Sequence, residues 1–153
     1  GGGLGYEGLD GKSLAVEIDT YPNIWWLCDP SNNHVGIDMD GSVRHCSNPD
    51  YYEGPTPTWL EDGSEHSVRV EIHTNCNRRC TRCGRRRGSY ALIKVWIDCS
   101  NCDDLTRDFG GVPTIQKCFT WDNALDYVRF GFTQGTGGRT QQVKIWYFGI
   151  KFD

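Results

Sequence analysis

Apolar and polar residues alternate along six short segments of this chain. The segments are 13–20, 34–40, 66–73, 90–98, 127–133 and 142–152. Each is rich in β-branched and aromatic residues and is bounded by glycine, proline, asparagine or aspartate, which is the pattern of β-strands. No long stretch repeats its apolar residues with the 3.6-residue period of a helix. The sequence therefore predicts an all-β chain.

Alternation also predicts which side chains face the core, because every second residue of a strand points to the same face. The predicted core faces are Val68, Val70 and Ile72 in one segment, and Val128, Phe130 and Phe132 in another. We expect these faces to meet between two packed antiparallel sheets, as in a β-sandwich or jelly roll. Three prolines lie within Asn48–Gly63, which we interpret as a long loop between strands.

Composition and charge narrow the class of protein. The chain has 153 residues, of which 37% are hydrophobic and 12% aromatic, enough to form one core. Its net charge of -4 lacks the basic excess typical of nucleic-acid binding. No apolar run is long enough to span a membrane. We therefore expect neither a nucleic-acid partner nor a membrane span.

Eight cysteines indicate an oxidising compartment, so we expect the protein to be secreted or displayed at the cell surface. The predicted disulfides are Cys28 with Cys46, and Cys76 or Cys80 with Cys99 or Cys102. An alternative is a zinc ribbon, because two C-x2-C pairs are separated by fifteen residues. Its ligands would be Cys80, Cys83, Cys99 and Cys102.

The segment Ser13–Asp38 gathers the groups that bind metal ions. Within eighteen positions it carries Glu17, Asp19, Asn23, Asp29 and His34. Glu17 and Asp19 are two residues apart on a predicted strand, so both carboxylates leave the same face. Carboxylate, amide and main-chain oxygens suit calcium, whereas a cluster that includes an imidazole suits a first-row transition ion such as manganese. The pattern predicts two adjacent divalent cations.

The spacing of these groups resembles that in the L-type, or legume-type, lectin family. Three further stretches resemble the same family: GGGLG at 1–5, VRFGFTQGTGG at 128–138 and VKIWYFGIKF at 143–152. The resemblance implies a concanavalin A-like antiparallel β-sandwich, with residues 1–153 forming one lectin-like domain. A complete domain of this family has roughly another hundred residues before GGGLG, on the usual scale of sandwiches. The chain would then be the C-terminal part of a larger domain.

The resemblance also implies a ligand for each metal position. The implied ligands of manganese, or another divalent transition metal, are Glu17, Asp19, Asp29 and His34. The implied calcium ligands are Asp19, the Tyr21 carbonyl, Asn23 and Asp29. Asp19 and Asp29 would bridge the two ions.

A carbohydrate or a glycoprotein glycan is the partner that the resemblance implies. The amide of Asn23 would donate to a sugar hydroxyl, and the Tyr21 ring would stack on the sugar. Backbone N–H donors would come from two glycine loops, where the absence of a side chain permits close approach. The glycines that correspond are Gly2, Gly3, Gly137 and Gly138. The remaining strands of the sandwich would come from another segment of the same protein, from other protein subunits or from a homo-oligomer.

Six of the ten residues in Arg78–Arg87 are arginine. Guanidinium groups bind sulfate and uronate groups in forked geometry, so an acidic polysaccharide is one interpretation. A solvated hairpin tip is the other and is favoured, because runs of charge usually face water. Trp25 and Trp26 also have two interpretations. Their indoles are either exposed and stack on a sugar, or buried and anchor the loop. We interpret His45, His66 and His73 as ordinary surface or strand residues.

Two other functions compete with glycan recognition. Sandwich-fold glucanases carry E-x-D-x-x-E on a strand, and Glu17 and Asp19 begin that pattern, but Pro22 occupies the place of the second glutamate. Retaining hydrolysis requires two carboxyl groups, so we predict that the chain is not an enzyme. The alternative that stays open is a structural module of an extracellular fibre, coat or matrix, in which the metals only stabilise the fold.

Overall fold

The computed structural model describes residues 2–46, 52–54, 59–74, 90–106, 109–120 and 129–152. These residues contain six strands and no helix. The strands are β1 (Leu14–Asp19), β2 (His34–Met39), β3 (Tyr52–Gly54), β4 (Val68–His73), β5 (Tyr90–Ile97) and β6 (Ile115–Thr120). The prediction of an all-β chain is confirmed for this part of the sequence. No helix among the described residues is long and apolar enough to cross a membrane.

The strands form two three-stranded antiparallel sheets. The first has the order β1-β2-β3 and the second has the order β4-β5-β6. In the first sheet, Asp19 pairs with His34 and Glu17 pairs with Gly36. This register matters for the site, since directly opposed residues in an antiparallel pair present their side chains on the same face.

One hydrophobic core joins the two sheets. Its buried residues are Val35 and Ile37 of β2, Ala91, Ile93, Val95 and Ile97 of β5, and Ile115 and Phe119 of β6. Leu14 and Val16 of β1 pack against this cluster. The arrangement is that of two β-layers around a shared core, consistent with a β-sandwich.

Because side chains alternate along a strand, the other face of β1 and β2 carries a different set of residues. Leu14 and Val16 pack on the main core, so Glu17 and Asp19 leave the opposite face. A second, smaller core of Tyr6, Leu27 and Val43 lies against Ala15 on that face. The carboxylates of Glu17 and Asp19 therefore lie between the first sheet and its loops.

The strands predicted at 127–133 and 142–152 are wrong where the structure describes them, because residues 129–152 contain no strand. Tyr127 and Val128 lie outside the described residues. In this segment the Phe130 and Phe152 rings lie 5.9 Å apart, and the Phe132 and Phe148 rings 5.1 Å apart. These ring contacts bring the two stretches side by side.

The two predicted core faces have different outcomes. Val68, Val70 and Ile72 lie opposite the core residues Ile97, Val95 and Ile93, so they share the core face of the second sheet as predicted, but each is between 39% and 42% exposed. Phe130 and Phe132 are more exposed still, so the other predicted core face is wrong for its two described residues. On the opposite face of β4, Arg69 is buried over the Phe109 ring. Its guanidinium also donates to the Asp104 carbonyl at 2.6 Å.

Sequence patterns missed two strands. β3 falls within Asn48–Gly63, which was predicted to be a loop. β6 has the sequence IQKCFT, in which Ile115 and Phe119 are buried by pairing with β5. Its polar residues gave too weak a local signal for a strand.

The disulfides agree with the sequence in part. The predicted Cys28–Cys46 bond is present. Cys99 is bonded to Cys102, so the predicted pairing of these two with Cys76 or Cys80 is wrong. A zinc ribbon is wrong for the same reason, because two of its four thiolates are consumed. Cys76, Cys80, Cys83 and Arg78–Arg87 lie outside the described residues.

Candidate metal centre

Strand pairing brings the first two candidate metal ligands together. Asp19 at the end of β1 lies opposite His34 at the start of β2. Glu17 lies opposite Gly36, which contributes no side chain on this face and leaves room beside the Glu17 carboxylate. The Asp19, Asp29 and His34 side chains each offer an atom within 4.8 Å of the others. Four residues that the sequence pattern selected therefore meet, since Glu17 and His34 also lie 3.8 Å apart.

The loop between β1 and β2 is folded around two of these carboxylates. The Tyr21 N–H donates to Oδ1 of Asp19 at 2.8 Å, and the Asn23 N–H donates to Oδ2 of Asp29. The Leu27 N–H donates to the Asn23 carbonyl at 2.9 Å. Aspartates that accept such main-chain bonds fix local turns. Any change at Asp19 or Asp29 is therefore transmitted directly to Tyr21 and Asn23.

His34 is oriented as a ligand. Its Nδ1 lies 3.0 Å from the Ser31 carbonyl, which can only accept, so Nδ1 carries a proton, and in the neutral ring Nε2 presents a lone pair. Nε2 is buried without a hydrogen-bond partner, because the 3.8 Å to Glu17 is too long for one. A histidine that donates one ring N–H to a carbonyl and aims the other nitrogen into a cluster is the usual form of a metal-ligating histidine.

His45 also belongs to the cluster, so its interpretation as an ordinary residue is wrong. Its side chain is only 3% exposed, and Nε2 lies 2.9 Å from Oε2 of Glu17. Its Nδ1 lies 3.5 Å from Oδ1 of Asp29. No local pattern could have found His45, because contacts far along the chain bring it here: its N–H donates to the Leu27 carbonyl, and Cys46 is bonded to Cys28.

Asp38 is a further residue that sequence reasoning missed. It is 1% exposed, and its Oδ1 lies 4.0 Å from Nε2 of His45. The available signal was its spacing from His34 on β2, because residues four apart on a strand share a face. Burial, and after it the charge of Glu17, raises the pKa of Asp38 to about 8.

Carboxyl groups outnumber imidazoles in the cluster. The four buried carboxyl groups belong to Glu17, Asp19, Asp29 and Asp38, and the two imidazoles that the described residues place among them belong to His34 and His45. Burial raises the pKa of Glu17, but contacts with His34 and His45 outweigh burial and lower it to about 2. Burial raises the pKa of Asp19. An excess of buried negative charge is costly unless protons or a cation neutralise it.

Three buried polar atoms of the cluster have no hydrogen-bond partner among the described residues. They are Oδ1 of Asp29, Nε2 of His34 and Oδ1 of Asp38. Buried polar atoms nearly always have hydrogen-bond partners, and a site for an ion is one recognised reason when they do not. Glu17, His34 and His45 form a second set of donors within 4.8 Å of one another. The residues present therefore fit divalent cations, with oxygen donors around Asp19 and Asp29 and mixed donors around Glu17.

The predicted sugar-contacting residues lie at the outer side of this cluster. A Cβ on Gly2 would lie 3.0 Å from Oδ1 of Asn23, and a Cβ on Gly138 would lie 3.3 Å from the Tyr21 hydroxyl. The two glycine loops thus border Asn23 and Tyr21 from both ends of the chain. A Cβ on Gly3 would instead meet the Glu7 side chain. The Gly137 N–H is used within its own turn, where it donates to the Arg139 carbonyl.

Exposed aromatic side chains flank Asn23 in the same loop. Trp25 is 99% exposed, Trp26 is 54% exposed, and Tyr21 is 44% exposed. Of the two interpretations of the tryptophans, the structure favours exposed indoles over buried anchors. The outer surface of the loop therefore combines an amide and aromatic rings above buried carboxylates.

No protein-family model matches this chain, and no solved structure matches it. The function has to be argued from the chemistry of the site.

Proposed function

We propose that this chain is a carbohydrate-binding module, similar to the L-type lectins, in which divalent cations order the loop between β1 and β2. One observation carries the proposal. A buried cluster of carboxylates and imidazoles lies beneath Tyr21 and Asn23, and main-chain hydrogen bonds link these two residues to Asp19 and Asp29. Cations on those aspartates would fix the surface that meets the ligand.

Each metal position follows from its donors. Asp19, Asp29, the Tyr21 carbonyl and the Asn23 amide are oxygen ligands, which calcium prefers. Glu17, His34, Asp19 and Asp29 would hold manganese or another divalent transition metal, for which an imidazole is a suitable ligand. Asp19 and Asp29 each use one oxygen for a loop N–H, so the other oxygen of each is available to a cation.

The outer surface suits a sugar. The Asn23 amide can donate to a hydroxyl, and Gly2 beside Asn23 and Gly138 beside Tyr21 have no side chains that would block approach. The exposed rings of Tyr21 and Trp25 offer flat apolar surface to the C–H face of a pyranose. Binding of this kind involves no bond cleavage. The disulfides support secretion or display at the cell surface, where glycans are abundant.

The proposal is tested on a glycan array that contains N-glycans and plant and microbial oligosaccharides. We expect the wild-type chain to bind at least one class of glycan in calcium and manganese, and to lose binding reversibly in EDTA. Asn23→Ala should weaken binding by about 100-fold, because it removes both a calcium ligand and a hydrogen-bond donor. The matched control is Asn32→Ala, an exposed asparagine of the same loop, which should bind within twofold of wild type.

A chain that binds cations but no glycan on this array would contradict the proposal. That result would support the structural module of a fibre, coat or matrix, in which the same metals only stabilise the loop. Equal loss of binding in the Asn23 and Asn32 variants would also contradict it, since the effect would then belong to the loop in general.

A further inference from the structure

The strongest unassigned feature of the molecule is the position of His45. Its side chain is as buried as that of Glu17, and its Nε2 is closer to the Glu17 carboxylate than Nε2 of His34 is, 2.9 Å against 3.8 Å. The sequence pattern assigned this residue no role. Two imidazoles and one carboxylate therefore meet at one point, where the pattern predicted a single imidazole.

The position of His45 is fixed by more than its side chain. Its main-chain N–H donates to the Leu27 carbonyl at 2.9 Å, and the next residue, Cys46, is bonded to Cys28. Leu27 and Val43 are both buried in the small core beside it. A ligand held by packing and by a covalent link loses little freedom when it binds an ion, so the site is organised in advance.

The two imidazoles converge from different directions. Their ring centroids lie 5.5 Å apart with an angle of 84° between the planes. Donor atoms from Glu17, His34 and His45 all lie within 4.8 Å of one another. Two ligands of a tetrahedral zinc ion are about 3.4 Å apart, since each bond is about 2.1 Å long. Small side-chain adjustments would bring the three donors onto one ion.

A simple ion pair between His45 and Glu17 does not explain the whole arrangement. It leaves Nε2 of His34 buried beside the same carboxylate oxygen without a hydrogen-bond partner. It also leaves Oδ1 of Asp38 buried without a hydrogen-bond partner among the described residues, 4.0 Å from the same His45 nitrogen. A cation between the rings would use the lone pair of His34 and neutralise the excess of carboxylates.

We infer that His45 is a direct ligand of the transition-metal position, which makes this a two-imidazole site that selects zinc over manganese. The inference rests on the proposed function in one respect, because the same cluster of side chains orders the loop between β1 and β2. Nitrogen donors favour zinc, nickel and copper, whereas sites made mostly of carboxylate and carbonyl oxygens suit manganese and calcium. Adding a second imidazole to Glu17 and His34 therefore shifts the preference of the site.

The test compares wild type with His45→Gln, each stripped of metal and dialysed against equal concentrations of Zn²⁺ and Mn²⁺. We expect wild type to retain zinc in large excess over manganese. The ratio should fall at least tenfold in the variant, since loss of one imidazole costs zinc more than manganese. His73→Gln is the matched control, because this histidine lies on β4 beside Glu71 and should leave the ratio unchanged.

A second measurement uses the wild-type chain alone, so it does not depend on how the variant folds. In ¹⁵N-labelled protein, one ring nitrogen of His45 and Nε2 of His34 should shift together as Zn²⁺ is added. An unchanged His45 resonance at zinc saturation, or an unchanged metal ratio in a folded His45→Gln variant, would overturn the inference. Neither result touches the proposed function, because glycan binding in calcium and manganese is measured separately on the wild-type chain.

Discussion

Stripping divalent cations from the chain with EDTA will lower its melting temperature by about 10 °C. A ligand present at about 1,000 times its dissociation constant stabilises a folded protein by about 4 kcal/mol. For a chain of this size, each kcal/mol moves the melting temperature by about 2–4 °C. The physical cause is the cluster of Glu17, Asp19, Asp29 and Asp38, whose buried carboxyl groups lose their counter-charge. Differential scanning calorimetry with and without EDTA measures the shift.

A pair of variants assigns this effect to the cluster. Asp29→Asn removes a buried carboxylate that faces both His45 and the Asn23 N–H, so EDTA should change its melting temperature by about 2 °C or less. Asp10→Asn removes an exposed carboxylate outside the cluster and should keep the full shift. A wild-type chain whose melting temperature is the same in EDTA and in excess calcium and zinc would contradict the account.

Replacing both Cys28 and Cys46 with serine will destabilise the chain by about 3 kcal/mol and will also weaken cation binding. The bond joins residues 18 positions apart, and a closed loop of about this length restricts the unfolded chain by about that amount. The effect on cation binding has a separate cause. Asp29 follows Cys28, and His45 precedes Cys46. The bond therefore holds these two candidate ligands near each other.

The control for this prediction is the disulfide between Cys99 and Cys102. These residues are three positions apart and follow β5, a strand of the second sheet. Serine at both positions should cost much less stability, because a short loop restricts the unfolded chain less, and should leave cation affinity unchanged. Urea unfolding gives the stability, and isothermal titration calorimetry gives the affinity. Equal cation affinity in the two double variants would show that the Cys28–Cys46 bond does not position the ligands.

The parts of the fold that depend on local patterns could be predicted. β1, β2, β4 and β5 each have strong alternation or a continuous apolar run, and all four form within the predicted segments. The same alternation placed Glu17 and Asp19 on one face, where the structure has them. β6 was missed because Gln116 and Lys117 weaken its pattern, and its burial comes from the neighbouring β5 rather than from its own sequence.

The parts that depend on distant contacts could not be predicted. Alternation placed Val68, Val70 and Ile72 on the core face of β4, but it did not show that this face would stay partly exposed at the edge of the second sheet. It also gave no sign that Arg69 on the other face would be buried, because Phe109 and the Asp104 carbonyl engage Arg69 from far along the chain. His45 is the clearest case at the site, because a disulfide and a main-chain hydrogen bond bring it to Glu17 from 28 residues away.

The most direct measurement of the central claim, that this cluster binds divalent cations, is anomalous scattering from crystals soaked in calcium and zinc. The account predicts a peak that appears above the zinc edge at bonding distance, about 2.1 Å, from donors of Glu17 and His34. It predicts a second ion, without that edge, bound to Asp19 and Asp29. Diffraction data in which neither position holds an ion at saturating metal concentration would contradict the account.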